Sequence, residues 1–105
     1  MGKETYTIVG VTFDHRQDAL SNFYKNYRHG GDYDVVLYKE DDNQYDKNAI
    51  SVNLEINGKL EKVGYIAKTK NEELRNKFDM IKNAKIKSIG PNVNGDIGLS
   101  INIEF

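Results

Sequence analysis

The chain has 105 residues, 38% of them hydrophobic and 30% charged, which suits one domain with a modest core. Its formal net charge is −1 and it has no cysteine, which excludes disulfide scaffolds, thiolate zinc sites and cysteine nucleophiles. Two histidines argue against a histidine-based metal site, and no apolar run is long enough for a signal peptide or a membrane span. We therefore expect a single cytoplasmic domain over residues 1–105, with no metal, no cofactor and no membrane contact.

The near-neutral net charge hides an uneven distribution along the chain. Residues 1–58 carry six basic and ten acidic side chains, a net −4, whereas residues 59–90 carry nine basic and four acidic ones, a net +5. The second region could therefore meet a polyanion such as nucleic acid. The same charge distribution is also explained if the lysines only keep a small domain soluble.

The first third of the chain predicts two strands separated by a helix. Residues 5–13 are β-branched and aromatic, and their apolar phase changes beside Gly10, which indicates a bulge or a strand buried on both faces. Asp14 with Gln17 three residues later resembles a capping box, and the apolar residues that follow repeat at helical spacing until a pair of glycines. Residues 33–39 predict the second strand.

The rest of the chain predicts four more strands and a second helix. Residues 49–56 alternate apolar and polar side chains, and the following Asn57-Gly58 is a strong hairpin signal. Thr69 with Glu72 resembles another capping box and predicts a helix after it. Further strands are predicted at residues 60–67, 84–89 and 99–105. The predicted order is therefore βαβββαββ.

Six short strands with two inserted helices do not fit a series of βαβ units. They predict a mainly β (α+β) fold, a small and strongly bent antiparallel barrel of the OB-like or SH3-like kind. Such barrels often bind polymers across one face, but the fold alone does not decide the function.

Residues 40–49, named the acidic loop here, hold four carboxylates and two asparagines immediately before the third predicted strand. The EF-hand pattern for calcium is missing. A solvated loop also lacks the cleft of a carboxylate-pair hydrolase and the separate elements of a metal-dependent nuclease. Two interpretations remain: a binding loop whose carboxylate accepts a hydrogen bond from a hydroxyl, and a loop that Asp and Asn side chains merely shape.

Two motifs in and after the acidic loop match a known family. NQYDKNAISV (residues 43–52), followed by VGYI (residues 63–66), resembles the HIRAN domain, and the opening Val9-Gly10 also fits its pattern. The resemblance extends over almost the whole chain. It implies an OB-like barrel that binds the 3′ end of single-stranded DNA without enzymatic activity, in DNA repair or at replication forks, beside a helicase or nuclease partner domain. A bacterial member would be nucleoid-associated.

The resemblance also implies roles for individual residues. Phe13 and Tyr45 would stack on the terminal bases, and Asp46 would accept a hydrogen bond from the 3′-hydroxyl. Because a carboxylate repels phosphates but accepts well from O–H, an acidic pocket suits a free hydroxyl end. The remaining candidate DNA contacts are Asn43 at the terminal nucleotide, Tyr65 on the fourth strand, and Lys62, Lys68 and Lys70 for the trailing phosphates.

The chain departs from the family pattern at Thr12, Asp41, Asp42, Gln44 and Tyr65. The loss of two loop prolines predicts a less rigid loop, and the added carboxylate and the missing basic side chain lower the expected affinity for DNA. The alternative is a protein-protein interaction barrel that has lost DNA-end binding. Its contact anchors would be three tyrosines, Tyr24, Tyr27 and Tyr38.

Overall fold

The structure is a computed structural model that describes residues 2–105, and within them the elements follow the predicted order. A single 3₁₀ turn, Phe78–Met80, continues the chain after the second helix. The elements are β1 (Lys3–Thr7), α1 (Arg16–Lys25), β2 (Val36–Lys39), β3 (Ile50–Ile56), β4 (Lys59–Tyr65), α2 (Lys68–Asn76), β5 (Asn83–Pro91) and β6 (Ile97–Glu104).

The strands form two three-stranded antiparallel sheets, in the orders β1-β6-β5 and β2-β3-β4. Single bridges join the two sheets on both sides, at Val9 with Tyr65 and at Asp34 with Lys85. These bridges do not close the strands into one continuous barrel, but the arrangement is compatible with the OB-like fold that the sequence predicts.

The first strand is shorter than the sequence predicts. The backbone of Ile8 still donates to β6, whereas Val9 exchanges two 2.9 Å hydrogen bonds with Tyr65 at the end of β4. The chain therefore passes from one sheet to the other between these residues, which is the physical reason for the change of apolar phase. Gly10, with φ at +70°, then leads into turns, so the prediction of a strand as far as Phe13 is wrong.

Neither predicted capping box forms. Asp14 lies outside α1 in a left-handed conformation (φ 55°), and the helix has no side-chain cap. The amide of Gln17 instead donates to and accepts from the backbone of Ile97 at 2.9 and 2.7 Å, which ties α1 to β6. Thr69 lies inside α2, whose N-terminus also lacks a side-chain cap. Gln17 therefore uses its hydrogen-bonding groups in a tertiary contact instead of a helix cap.

The core contains the apolar sides of β3 and β6, as their alternation predicts. In β3, Ser51 and Asn53 are buried as well, because the Asn53 amide donates to Ser51 Oγ and to the backbone of Val36. The predicted hairpin turn is confirmed: Asn57 and Gly58 both have positive φ, at 54° and 80°. Within residues 2–105, no helix is long and apolar enough to cross a membrane.

Candidate nucleic-acid interface

A groove of about 1220 Å³ opens where β1 crosses to β4 and where the acidic loop faces the start of α2. Lys70, on α2, does not line it; the charge of Lys70 acts instead on Glu4 in β1. The groove is lined by the seven other candidate DNA-contact residues: Phe13, Asn43, Tyr45, Asp46, Lys62, Tyr65 and Lys68.

Two aromatic side chains stand on the rims of this groove. Tyr45, in the acidic loop, is 85% exposed, and Phe13, in the turn after β1, is 65% exposed. The Phe13 turn is held by backbone hydrogen bonds from Phe13 to Gly10 and from Arg16 to Phe13. Open aromatic faces at a groove suit stacking on flat apolar groups, including nucleobases.

The acidic loop is shaped by its own side chains. Asn43 Oδ1 accepts hydrogen bonds from the backbone N–H groups of Tyr45 and Asp46 at 2.8 and 2.9 Å. Asp46 Oδ1 accepts from the backbone N–H of Asn48 at 2.9 Å. Such Asx turns set the direction in which neighbouring side chains leave the backbone. The loop-shaping interpretation therefore describes part of what Asn43 and Asp46 do.

The half-buried Asp46 carboxylate also contacts a second element. Its Oδ2 accepts a 2.6 Å hydrogen bond from Nδ2 of Asn71 in α2. Each carboxylate oxygen offers about two acceptor positions. Both oxygens of Asp46 therefore keep capacity for a donor from a ligand while they hold the loop.

The floor of the groove is a closed polar network around Tyr65. The Tyr65 hydroxyl donates to Glu40 Oε1 at 2.8 Å, and the Lys62 ammonium donates to the Tyr65 hydroxyl and lies 2.6 Å from Glu40 Oε2. The Arg16 guanidinium stands 5.0 Å from the Tyr65 ring centroid and donates to the backbone oxygen of Gly10. Tyr65 is thus held by its hydroxyl and by one ring face.

The ion pair in this floor fixes the charges of both partners. Burial raises the pKa of the Glu40 carboxyl, but hydrogen bonds from Lys62, Asn43 and Tyr65 outweigh it and hold that pKa below its usual value. Burial lowers the pKa of the Lys62 ammonium, but its bonds to Glu40 and Tyr65 outweigh this and raise that pKa. Lys62 is therefore charged and already paired before any ligand arrives.

Comparison with known proteins gives a family. The HIRAN domain model matches residues 2–105. This chain belongs to the HIRAN family. HIRAN domains are DNA-binding domains rather than catalytic ones, which agrees with an open groove and exposed rings.

The fold of this HIRAN domain resembles a solved structure. The crystal structure of the HIRAN domain of human HLTF is similar with a TM-score of 0.61 and 22% identity, over 97% of this chain and 73% of that chain. No curated protein matches the sequence.

Sequence reasoning missed the residues of α2 that hold the acidic loop. Arg75 donates to the backbone oxygens of Asn48 and Ala49 and, at 2.7 Å, to Asp41 Oδ1. Asn71 holds Asp46 from one helical turn earlier, on the same face of the helix. The signal in the sequence is the spacing of Asn71 and Arg75, which are four residues apart in α2 and therefore lie on the same face of the helix.

The tyrosines proposed as protein-contact anchors differ in their surroundings. Tyr38, on β2, is 52% exposed, whereas Tyr24 and Tyr27 are half-buried. The Tyr27 ring packs 5.0 Å from the ring of Tyr33 and 6.3 Å from that of Phe23. Tyr38 is therefore the most exposed of the three tyrosines and the one available for contact with a partner protein.

Among residues 2–105, no three His, Asp or Glu side chains converge as metal ligands would.

Proposed function

We propose that this HIRAN domain binds single-stranded DNA at its 3′-hydroxyl end. Tyr45 and Phe13 stack on the last bases, and Asp46 accepts a hydrogen bond from the terminal hydroxyl. The observation that carries the proposal is the meeting of two exposed rings and a half-buried carboxylate in one groove. In this proposal the domain recognises the end without cleaving it, and it serves a helicase or nuclease partner domain that acts on the same end.

The acidic side of the groove supports an end rather than a continuous strand as the ligand. A carboxylate accepts strongly from a hydroxyl but repels a phosphate, so Asp46 favours a hydroxyl terminus over a phosphorylated one. Asn43 supports both Tyr45 and Asp46 through the backbone and lines the groove where a terminal nucleotide would lie.

The candidate phosphate contacts are unequal. Lys62 is paired with Glu40, and Lys70 lies outside the groove lining. Lys68 lines the groove, is exposed, and forms no ion pair within residues 2–105. We therefore assign the first trailing phosphate to Lys68. Tyr65 forms the floor beneath the terminal nucleotide.

The test is fluorescence anisotropy at low salt, with a short single strand that ends in a 3′-hydroxyl or in a 3′-phosphate. The wild type should bind the hydroxyl strand more tightly, and Asp46→Ala should remove that difference. Tyr45→Ala should weaken binding of both strands by about tenfold, since stacking contributes about 1–3 kcal/mol per base. Tyr38→Ala is the matched control, because Tyr38 is exposed but does not line the groove. Equal binding of the two strands by the wild type would refute end recognition.

The alternative function is a protein-interaction barrel. The feature that favours it is Tyr38, whose exposed ring on β2 is available to a partner. It predicts that neither strand binds, and that Tyr38→Ala weakens a protein complex which Tyr45→Ala leaves intact. The same pair of variants therefore separates the two functions.

A further inference from the structure

The amide of Asn71 is unlike the other polar groups beside the groove. Its side chain belongs to a residue only 2% exposed, and its Nδ2 donates to Asp46 Oδ2 at 2.6 Å. Its Oδ1 is buried and has no hydrogen-bond partner within residues 2–105. The NH₂ group of this amide is therefore hydrogen-bonded, whereas its oxygen is left without a donor.

Such an arrangement is not explained by stability. A buried acceptor without a partner destabilises the folded state, whereas an apolar side chain of the same shape avoids that loss. Leucine has nearly the shape of asparagine and would fill the same space in α2. The amide is accounted for by the bond that it makes to Asp46.

That bond determines how the Asp46 carboxylate is oriented. The Asn48 backbone holds Oδ1 from within the acidic loop, and Asn71 holds Oδ2 from α2. Two donors on two separate elements prevent rotation of the carboxylate, so its remaining acceptor positions have fixed directions. Removal of the Asn71 donor leaves the carboxylate held at Oδ1 alone, so the direction of Oδ2 is no longer fixed.

We propose that Asn71 is a positioning residue, which orients the Asp46 carboxylate toward the terminal hydroxyl of the ligand and so sets the preference for a hydroxyl end. This inference rests on the proposed function, in which Asp46 is the hydroxyl acceptor. Asn71 also lines the groove, and in this proposal it acts through the Asp46 carboxylate.

The experiment compares single strands that end in a 3′-hydroxyl or in a 2′,3′-dideoxy nucleotide, which differ by that hydroxyl alone. Hydrogen bonds to charged groups predict a wild-type preference of about tenfold or more for the hydroxyl end. In Asn71→Leu this ratio should fall to within about twofold, because the carboxylate is no longer oriented. The melting temperature should stay close to that of the wild type, because the loss of the bond to Asp46 and the removal of a buried, unsatisfied oxygen have opposite effects on stability. If Asn71→Leu does not fold, Asn71→Ala supplies the same measurement.

Asn53→Leu is the matched control. Asn53 is also a buried asparagine, but it donates to Val36 and Ser51 and does not line the groove. This change should lower the melting temperature and leave the hydroxyl preference unchanged. A preference that survives in Asn71→Leu would overturn the positioning role while the proposed function stands. A wild type that binds both strands equally would overturn both.

Discussion

Most carboxylates of the acidic loop are engaged before a ligand binds. Glu40 pairs with Lys62, and Asp41 pairs with Arg75. Asp46 is bonded by neutral donors and forms no ion pair, and the exposed Asp42 side chain has no hydrogen-bond partner, within residues 2–105. The row of four carboxylates in the sequence therefore contains two structural ion pairs and two charges that a ligand would meet.

Among individual residues, Glu40 predicts that the free energy of unfolding depends on pH. Its folded-state pKa lies below the ordinary value, about 4.3 for a free glutamate, so its contribution is present above about pH 5 and is lost as pH falls through the folded-state pKa. Glu40→Gln should therefore flatten the acid side of the stability profile. It should also cost about 1 kcal/mol at pH 7, because Lys62 loses its counter-ion. Urea unfolding at a series of pH values measures both effects.

Glu55→Gln serves as the control for this prediction. Glu55 is an exposed acid on β3 with no ion pair within the described residues. Its replacement should keep the acid dependence of the wild type. If Glu40→Gln showed the same steep loss of stability between about pH 5 and pH 3 as the wild type, the Glu40–Lys62 pair would not be the source.

At the scale of elements, the sequence predicts what is encoded locally. The element order and the Asn57-Gly58 turn follow from alternation and from backbone preferences of neighbouring residues, and both are confirmed. The two capping boxes are also local patterns, but they fail because tertiary contacts determine where each helix begins. Gln17 shows this, since its amide bonds to Ile97 in a distant strand.

The support of the acidic loop was not predictable for the same reason. The lack of prolines predicts a less rigid loop, but Arg75 reaches it from α2 and bonds to Asp41 and to two loop carbonyls. These partners are 26 to 34 positions away from Arg75 in the sequence. No local pattern encodes a contact of that kind. The position of Asp46 likewise depends on Asn71, which is 25 positions away.

Arg75→Lys tests whether this contact holds the loop. Lysine keeps the charge beside Asp41 but cannot reproduce the planar fork that bonds to both carbonyls. We expect a loss of about 2 kcal/mol in the free energy of unfolding. We also expect faster amide hydrogen exchange in the acidic loop, measured by NMR.

Arg28→Lys is the control for that measurement. The Arg28 side chain is exposed and makes no hydrogen bond or ion pair within residues 2–105. Stability and loop exchange should therefore match the wild type. Unchanged exchange in Arg75→Lys would show that the Asx turns at Asn43 and Asp46 hold the loop without help from α2.

At the scale of the whole molecule, the charge asymmetry of the sequence is partly cancelled in space. Basic residues of the 59–90 region pair with acids from the first half of the chain, in the pairs Lys62–Glu40, Arg75–Asp41, Lys77–Glu4, Lys85–Asp32 and Lys85–Asp34. Four of the nine basic residues of that region are therefore paired, and the other five form no ion pair within residues 2–105: Lys59, Lys68, Lys70, Lys82 and Lys87. Composition alone cannot reveal this, because it contains no pairing.

The ion pairs of the groove predict a weak salt dependence of DNA binding at this site. Lys68 is the one cation lining the groove that forms no ion pair within residues 2–105, since Arg16 lies near Asp14 and Lys62 near Glu40. One phosphate contact on a single strand gives a slope of about −0.7 in a plot of log K against log salt. Anisotropy titrations of the 3′-hydroxyl strand over a range of salt concentrations should give that slope.

Two lysine variants decide whether Lys68 is the phosphate contact. Lys68→Gln should make binding nearly independent of salt while the stacking on Tyr45 persists. Lys82→Gln is the matched control, because Lys82 is exposed but lies outside the groove lining, and it should keep the wild-type slope. A wild-type slope steeper than about −2 would mean that several phosphates are bound by lysines elsewhere. In that case the domain would hold the backbone of the strand as well as its end.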